Sequence, residues 1–272
     1  MPELPELEVY AENLRPRLEG RTIAGVEVVH PGVLRPATPE AFRERVVGRS
    51  VTGVARRGKT LGLALDSGER LDVHLMIGGE MFWSEGAAGE TAKPPEPVLT
   101  LELSGGARLT FSDPNYNVLR PGNPKMKLGL NQRERLGIDP LDPAFTPEAL
   151  GALARRHKVL PVKALLMDQK LIAGLGNAYV DEILWECRLR PRRTASLLSV
   201  EELEALHRAI LALMERAIAH TREQVAGEIR GEFRSYFAVH HRTGKPCPRC
   251  GGRVAHEWFR ERTTNWCPTC QA

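Results

Sequence analysis

Met1-Pro2-Glu3-Leu4-Pro5-Glu6 begins this chain of 272 residues and determines how its first element is built. Proline at the start of a helix and acidic residues in its first turn both favour a helix N-terminus. A helix is therefore predicted from about Pro5 to Leu18, ended by Gly20. Beyond it, to about residue 120, short runs of alternating apolar and polar residues divided by glycine turns predict strands. The expected strands cover 22–29, 51–55, 61–65, 71–76, 98–103 and 109–111. They predict an antiparallel β-sandwich with a flanking helix.

The second half of the chain changes to helical periodicity. Thr146 followed by Pro147 is typical of a helix start, and the helical pattern continues to about Gln224. Ser199-Val200-Glu201-Glu202 is a capping box that opens the longest helix. We therefore predict an α+β protein with four segments. They are a sandwich domain at 1–120, a Gly-, Pro- and Asn-rich linker at 121–145, a helical domain at 146–235 and a terminal hairpin at 236–272.

Four of the five cysteines form two C-x-x-C pairs, Cys247 with Cys250 and Cys267 with Cys270. This spacing is typical of a four-cysteine zinc ribbon. A disulfide framework is the alternative, but the length of the chain, the lack of a secretory leader and the odd number of cysteines disfavour it. Four thiolates complete a tetrahedron, so one structural Zn²⁺ and no organic cofactor are predicted. Cys187 lies in an apolar helical run and is expected to be a buried, inert thiol.

The opening residues also permit chemistry. If Met1 is removed, Pro2 becomes a secondary amine, and an α-amino group has a pKa of about 7.7 to 8.0 in model compounds. Such an amine can attack a carbonyl carbon without the large shift that a lysine needs. Glu3 and Glu6 then supply carboxyl groups for acid and base work. The alternative is that these residues only start the helix.

The charge distribution favours a polyanionic partner. The net charge is +4, and residues 222–272 hold nine basic residues against five acidic ones, so the excess lies in this tail. Phosphate contacts made by such a tail are expected to weaken with salt. No run of about 18 apolar residues exists, so no membrane association is expected. Reduced cysteines and the absent leader predict an intracellular location.

The opening and the zinc ribbon together resemble the formamidopyrimidine-DNA glycosylase and endonuclease VIII family of base-excision enzymes, and the resemblance runs the whole length. The stretch from Gly174 to Glu182, read GLGNAYVDE, resembles the family's helix-two-turn-helix segment. Arg262, five residues before the third zinc cysteine, has the spacing of the family's zinc-finger arginine. Lys59, just before a strand, matches its phosphate-contacting lysine. Residue by residue, an N-cap role for Asn177 and plain exposed positions for the two cations remain alternatives.

The resemblance implies a bifunctional DNA glycosylase and AP lyase that acts as a monomer on damaged double-stranded DNA in the bacterial cytosol. The amine of Pro2 would attack the sugar C1′, release the base through a Schiff base and nick the strand by β,δ-elimination. Glu3 would be the acid partner. The implied catalytic set is Pro2, Glu3, Glu6 and Lys59, and the implied DNA contacts are Lys59, His74, Asn177 and Arg262.

Two motifs depart from the family pattern. The family fills the gap left by the extruded base with a methionine from His-Leu-Gly-Met and an arginine and phenylalanine from Asp-Pro-Arg-Arg-Phe. Here the first reads His74-Leu75-Met76-Ile77, and the second reads Asp113-Pro114-Asn115-Tyr116-Asn117. The void-filling candidates are Met76, Ile77 and Tyr116, with sheet core as the alternative. An asparagine cannot make the bidentate contact by which arginine would select an opposite cytosine, so opposite-base preference stays open.

The lesion class has two readings. The opening favours oxidised purines, namely 8-oxoguanine and formamidopyrimidines, while residues 227–232 depart from the usual loop over the extruded purine and leave oxidised pyrimidines open. A non-catalytic zinc protein that binds damaged DNA is the alternative from another class, and a zinc-ribbon RNA or ribosome factor is a weaker third. A pure binding module needs no amine and acid at its terminus, which favours the enzyme.

Overall fold

The computed structural model describes residues 1–86, 94–114, 125–132 and 135–271. These residues form two compact units. The N-terminal unit comprises Met1–Glu134 and Ile218–Phe233, and the C-terminal unit comprises Arg135–Ala217 and Arg234–Ala272. The four-segment division proposed from the sequence stays a prediction.

Helix α1, Leu4–Leu18, begins one residue before its predicted start. Glu3 is its N-cap, and Glu3 and Glu6 form a capping box in which the Glu6 carboxylate accepts the Glu3 N–H at 2.9 Å. The helix is fixed to strand β2, because the Arg15 guanidinium donates to the Val54 carbonyl at 2.9 Å. The first residues of the chain therefore have a defined place rather than a loose end.

Two four-stranded antiparallel sheets make up the sandwich within the described part of the N-terminal unit. The first has the order β1-β6-β7-β5 and the second β2-β3-β4-β8. The strands are β1 Ile23–Val28, β2 Val51–Arg57, β3 Thr60–Leu65, β4 Arg70–His74, β5 Glu80–Ser84, β6 Pro97–Leu103, β7 Arg108–Ser112 and β8 Lys127–Leu130. A short helix α2, Pro39–Val46, and 3₁₀ turns at Pro31–Val33 and Ser104–Gly106 connect them. One continuous apolar core joins both sheets and α1, which confirms the predicted sandwich with its flanking helix.

Three elements of this unit were not predicted. Helix α2 buries only Phe42 and Val46, and β5 buries only Met81, so each has a weak apolar pattern. Strand β8 lies inside the predicted linker 121–145, which is therefore not irregular throughout. It pairs with β4 through Leu71 opposite Leu130, a contact that only the folded sheet provides.

Four α-helices and a hairpin form the described part of the C-terminal unit, together with a 3₁₀ turn at Ala195–Leu197. The elements are α3 Pro147–Arg156, α4 Val162–Met167, α5 Asn177–Glu186, α6 Val200–Val225, β9 Ala255–Phe259 and β10 Arg262–Trp266. Both predicted helix starts are confirmed: the Thr146 hydroxyl accepts the Ala149 N–H, and the Glu202 carboxylate accepts the Ser199 N–H. The last turns of α6, from residue 218, cluster with the N-terminal unit. Among the described residues, no helix has the length and apolar character to cross a membrane.

A buried charge network organises this second unit. Lys163 on α4 and Asp181 on α5 are both fully buried, with 2.5 Å between Nζ and Oδ1. The other oxygen of Asp181 lies 2.8 Å from His240 Nδ1 and accepts the Asn265 N–H of β10 at 3.1 Å. Glu182 accepts the N–H groups of residues 238–240 at 2.7–2.8 Å. Two adjacent carboxylates thus tie α5 to α4, to the chain before the hairpin and to the hairpin itself.

Asp181→Ala removes the carboxylate next to a wholly buried ammonium, and we expect it to lower the free energy of unfolding by about 3–5 kcal/mol. Chemical denaturation followed by tryptophan fluorescence measures the loss. Glu186→Ala is the control, since that carboxylate is 40% exposed and lies 3.8 Å from Arg249, where about 0–1 kcal/mol is expected. Equal losses in the two variants would contradict the assigned role of the network.

Candidate active site and zinc ribbon

Pro2 lies at the wall of a cavity of about 220 Å³ in the N-terminal unit. The same cavity is lined by Tyr10, Leu75, residues 78–80 and residues 229–232. Pro2 is buried, and Glu3 and Glu6 are 3% and 0% exposed. The start of the chain is therefore enclosed next to two carboxyl groups, as an amine nucleophile with acid and base partners would require.

Lys59 and His74 lie in the same unit. Lys59 occupies the two-residue turn between β2 and β3, after Gly58 at φ 58°. Burial, and then the positive charges of Lys59 and Lys127, lower the pKa of His74 to about 4. Its Nδ1 accepts the Met76 N–H at 3.2 Å, so the neutral ring carries its proton on Nε2 as a hydrogen-bond donor.

The two void-filling candidates after His74, Met76 and Ile77, are not fully buried in the sheet core. Met76 has φ 55°, a left-handed conformation that glycine adopts without strain, at the position where the family motif has glycine. Ile77 is 44% exposed, although the neighbouring Leu75 is 2% exposed. Exposure of a large apolar side chain suits a void-filling role, which remains a prediction. Tyr116, Asn115 and Asn117 lie outside the described residues.

A tight loop precedes α5 in the C-terminal unit. Gly174 has φ 91°, a left-handed conformation that glycine adopts without strain, whereas Gly176 is extended and is the N-cap of the helix. The N-cap alternative for Asn177 is therefore wrong. Gln169 braces the loop, because its amide accepts the Gly174 N–H at 2.9 Å and donates to the Leu175 carbonyl at 2.7 Å. Sequence reasoning missed Gln169, since only these contacts distinguish it from any exposed glutamine.

Asn177 contacts the residue that follows Arg262 in the chain. Asn177 Nδ2 donates to the carbonyl of Thr263, the residue after Arg262 in β10, at 2.8 Å. The Asn177 Oδ1 is buried and has no hydrogen-bond partner among the described residues. Arg262 itself is exposed and follows a two-residue turn in which both positions have positive φ, 47° and 60°. The exposed Arg262 is thus held next to the strand residue that contacts the N-terminal end of α5. A guanidinium and a helix N-terminus both favour binding of an anion.

The four zinc-ribbon cysteines meet at one point. The sulfur atoms of Cys247, Cys250, Cys267 and Cys270 all lie within 4.8 Å of one another, with 3.9 Å from Cys247 to Cys270 and 3.5 Å from Cys250 to Cys267. Tetrahedral Zn²⁺ with bonds of about 2.3 Å requires separations of about 3.8 Å. The cysteines are therefore positioned to bind one zinc ion.

Cys187 stands apart from the ribbon. Burial raises the pKa of its thiol to about 12, and its Sγ lies 3.8 Å from the Ala205 carbonyl oxygen. A thiol protonated over the physiological range is unreactive, in agreement with the predicted inert role. The residue is half-buried, so the predicted full burial is wrong.

Comparison with known proteins identifies the class. Residues 1–116 match the model for the formamidopyrimidine-DNA glycosylase N-terminal domain, residues 136–227 match its H2TH domain, and residues 244–272 match a zinc finger found in FPG and IleRS. The sandwich, the loop before α5 and the ribbon together define a helix-two-turn-helix protein with a terminal zinc finger. The chain belongs to the formamidopyrimidine-DNA glycosylase family.

Individual relatives are similar along at least 92% of the chain. The formamidopyrimidine-DNA glycosylase of Chloroflexus aggregans is 38% identical, covering 100% of this chain and 98% of the relative. That of Moorella thermoacetica is 41% identical over 92% of both chains. Two solved Lactococcus lactis Fpg structures, one with FAPY-dG DNA and one with oxidised-pyrimidine DNA, each superpose with a TM-score of 0.85 at 25% identity, covering 99% of both chains.

Removal of zinc should disorder the ribbon that displays Arg262. We expect wild type to contain about one zinc per chain, and Cys267→Ser or a chelator to abolish DNA affinity, because four thiolates close the structural site. Metal analysis and duplex binding measure this. Cys187→Ser is the control and should keep both the zinc content and the DNA affinity of wild type. Undiminished binding by metal-free protein would contradict the role of the ribbon.

Stability should fall as the pH drops from about 6.5 to about 4, because the unfolded chain protonates His74 and the folded protein does not. The full stability is present above about pH 6.5. Below it, the loss of unfolding free energy that His74 causes reaches about 3 kcal/mol. His74→Gln should therefore flatten the pH dependence of the unfolding free energy in this window, measured by denaturation. His256→Gln, at an exposed position of β9, should leave it as in wild type. Identical profiles for all three proteins would refute the shift.

Proposed function

We propose that this protein is a monomeric DNA glycosylase and AP lyase that excises oxidised bases, formamidopyrimidines among them, from damaged double-stranded DNA. The enclosed Pro2 at the cavity wall, in a chain of this family, is the observation that carries the proposal. The names of the relatives and the FAPY-dG in a similar solved structure support the purine class of lesion.

The chemistry begins at the amine released when Met1 is removed. Its lone pair attacks the sugar C1′, and the bond from C1′ to the base breaks with its electron pair leaving on the base, which is protonated. A Schiff base to Pro2 forms as the sugar ring opens, and the strand is nicked by β,δ-elimination. Glu3, 3% exposed and next to the amine in sequence, is the acid partner.

Glu6 supports this arrangement from one turn further on. Its carboxylate accepts the Glu3 N–H at 2.9 Å, so it holds the backbone on which both reacting groups depend. We assign Glu6 to positioning within the catalytic set.

Phosphate contacts are assigned to both units. In the N-terminal unit, Lys59 offers a positive charge and neutral His74 offers its Nε2–H. In the C-terminal unit, Asn177 retains a second amide hydrogen beyond the one that Thr263 uses, and exposed Arg262 offers a bidentate fork. Each neutralised phosphate releases counterions, so binding should weaken with salt.

Ile77 is the favoured void filler among the candidates because its side chain is exposed and apolar. An extruded base leaves a gap in the stack that such a side chain can fill. Met76 and Tyr116 remain candidates. For the lesion class, oxidised pyrimidines are the second candidate, since a similar solved Fpg structure holds oxidised-pyrimidine DNA.

We assign the protein to the bacterial cytosol, with the nucleoid. Four thiolates that bind zinc must remain reduced, and a cytosolic environment keeps them so. The substrate is located there as well.

Borohydride trapping on a panel of lesion duplexes tests the proposal. Wild type, shown by mass spectrometry to start at Pro2, should form a covalent adduct with formamidopyrimidine and 8-oxoguanine duplexes. Pro2→Gly and Glu3→Gln should reduce trapping at least tenfold, in line with the 10²–10⁴-fold typical of acid–base groups. Protein that keeps Met1 should form none, because its Pro2 nitrogen is in a peptide bond.

Pro5→Ala, which leaves the terminus intact, is the control for the proline substitution and should trap as wild type does. Binding of lesion duplexes without any adduct would favour the non-catalytic damaged-DNA binder. Adducts with oxidised pyrimidines alone would favour the second lesion class.

A further inference from the structure

Residues 226–233, which we call the strap, are fixed to helix α1 within the N-terminal unit. The Tyr10 hydroxyl donates to the Gly231 carbonyl at 2.6 Å. Asn13 Nδ2 donates to the Glu228 carbonyl at 2.7 Å. The strap is therefore held by the same helix whose first turn carries the start of the chain.

This anchoring places Glu232 at the terminal amine. In the chain that begins with Met1, the terminal nitrogen lies 2.7 Å from Glu232 Oε1, and the Glu232 side chain is 31% exposed. Glu232 and Pro2 also line the same cavity. The carboxylate thus contacts the terminal ammonium of the unprocessed chain and lies at the same cavity as Pro2.

Removal of Met1 keeps the two groups within reach. Successive Cα atoms are about 3.8 Å apart, so the start of the chain moves by no more than about that distance. Pro2 already lies at the cavity wall, and the side chain of Glu232 has three rotatable torsions with which to follow the nitrogen. A direct contact between the Pro2 amine and the Glu232 carboxylate needs no change in the backbone of the strap.

The charges around the cavity favour this contact. Glu80 and Glu232 contribute two negative charges to the lining and Arg230 contributes one positive charge. Arg230 stacks over the Phe82 ring, with 4.4 Å from its Cζ to the ring centroid. The lining has one negative charge in excess, which a terminal ammonium neutralises. Glu3, buried at the helix cap, is the other carboxyl next to the amine.

We propose that Glu232 is a catalytic residue that accepts the proton of the Pro2 ammonium and so frees the lone pair for attack. The inference rests on the proposed glycosylase and lyase function. In the step, the N–H bond breaks and the proton moves to the Glu232 carboxylate. The nitrogen bonds to C1′, the bond from C1′ to the base breaks, and the base leaves with that electron pair. The proton that Glu232 takes up balances the one that the acid partner Glu3 gives to the departing base, so no further reactant is needed.

The test is the rate of borohydride trapping against pH for processed wild type, Glu232→Gln and Glu232→Asp. Loss of the acceptor should lower the plateau rate of Glu232→Gln at least tenfold. The acid limb of the profile should also move to lower pH by about one unit, because the Glu232 carboxylate no longer stabilises the ammonium. Glu232→Asp keeps a carboxylate, so it should keep the wild-type limb and recover part of the rate.

Glu223→Gln is the matched control, since it removes the same charge from an exposed position on α6. It should reproduce the wild-type profile, and all variants should bind a duplex with an uncleavable abasic analogue as wild type does. A Glu232→Gln protein with the plateau rate and the acid limb of wild type would overturn the role of Glu232 and leave the proposed function intact. Failure of wild type to trap any lesion would instead remove the proposed function, and the inference with it.

Discussion

The structure depends first on how the start of α1 is held. A nucleophile at a chain terminus has one covalent neighbour, so non-covalent contacts must fix its position. The capping box of Glu3 and Glu6, with 2.9 Å from the Glu3 nitrogen to the Glu6 carboxylate, supplies the local part of that restraint. Arg15 and Arg56 supply the rest, through a bond to the Val54 carbonyl and a 2.6 Å ion pair with Glu8. A helix so fixed to a sheet can present its terminal amine without the entropy cost of ordering a loose end.

In the C-terminal unit, buried charged groups fix the position of the hairpin that carries Arg262. Asp181 contacts Lys163, His240 and the backbone of β10, so one carboxylate sets the register of the hairpin against α5. Asn177 adds its bond to Thr263, two residues before Asn265 in the same strand. The zinc cysteines close the ribbon beyond it. Arg262 is exposed, yet the segment that carries it is restrained from three sides, as a phosphate contact of fixed geometry requires.

Local signals in the sequence predicted much of this. Helix starts at Thr146 and Ser199, and the cysteine spacing of the ribbon, depend on atoms within a few residues of each other, so short patterns are sufficient. Strand β8 was missed because Lys127–Leu130 is short and becomes a strand only beside β4. The role of Gly176 as N-cap, in place of Asn177, also depended on the backbone conformation of the loop rather than on residue preference.

The sequence by itself determined the class of fold, the zinc ligands and the presence of Pro2 and Glu3 at the start of the chain, because each follows from residue types at short and regular spacing. The tertiary structure alone decided which distant groups meet. Tyr10 and Gly231 are 221 residues apart, and their contact brings Glu232 to the start of the chain. It also decided that burial and two lysines keep His74 neutral. Proximity and desolvation are properties of packing, and no local pattern encodes them.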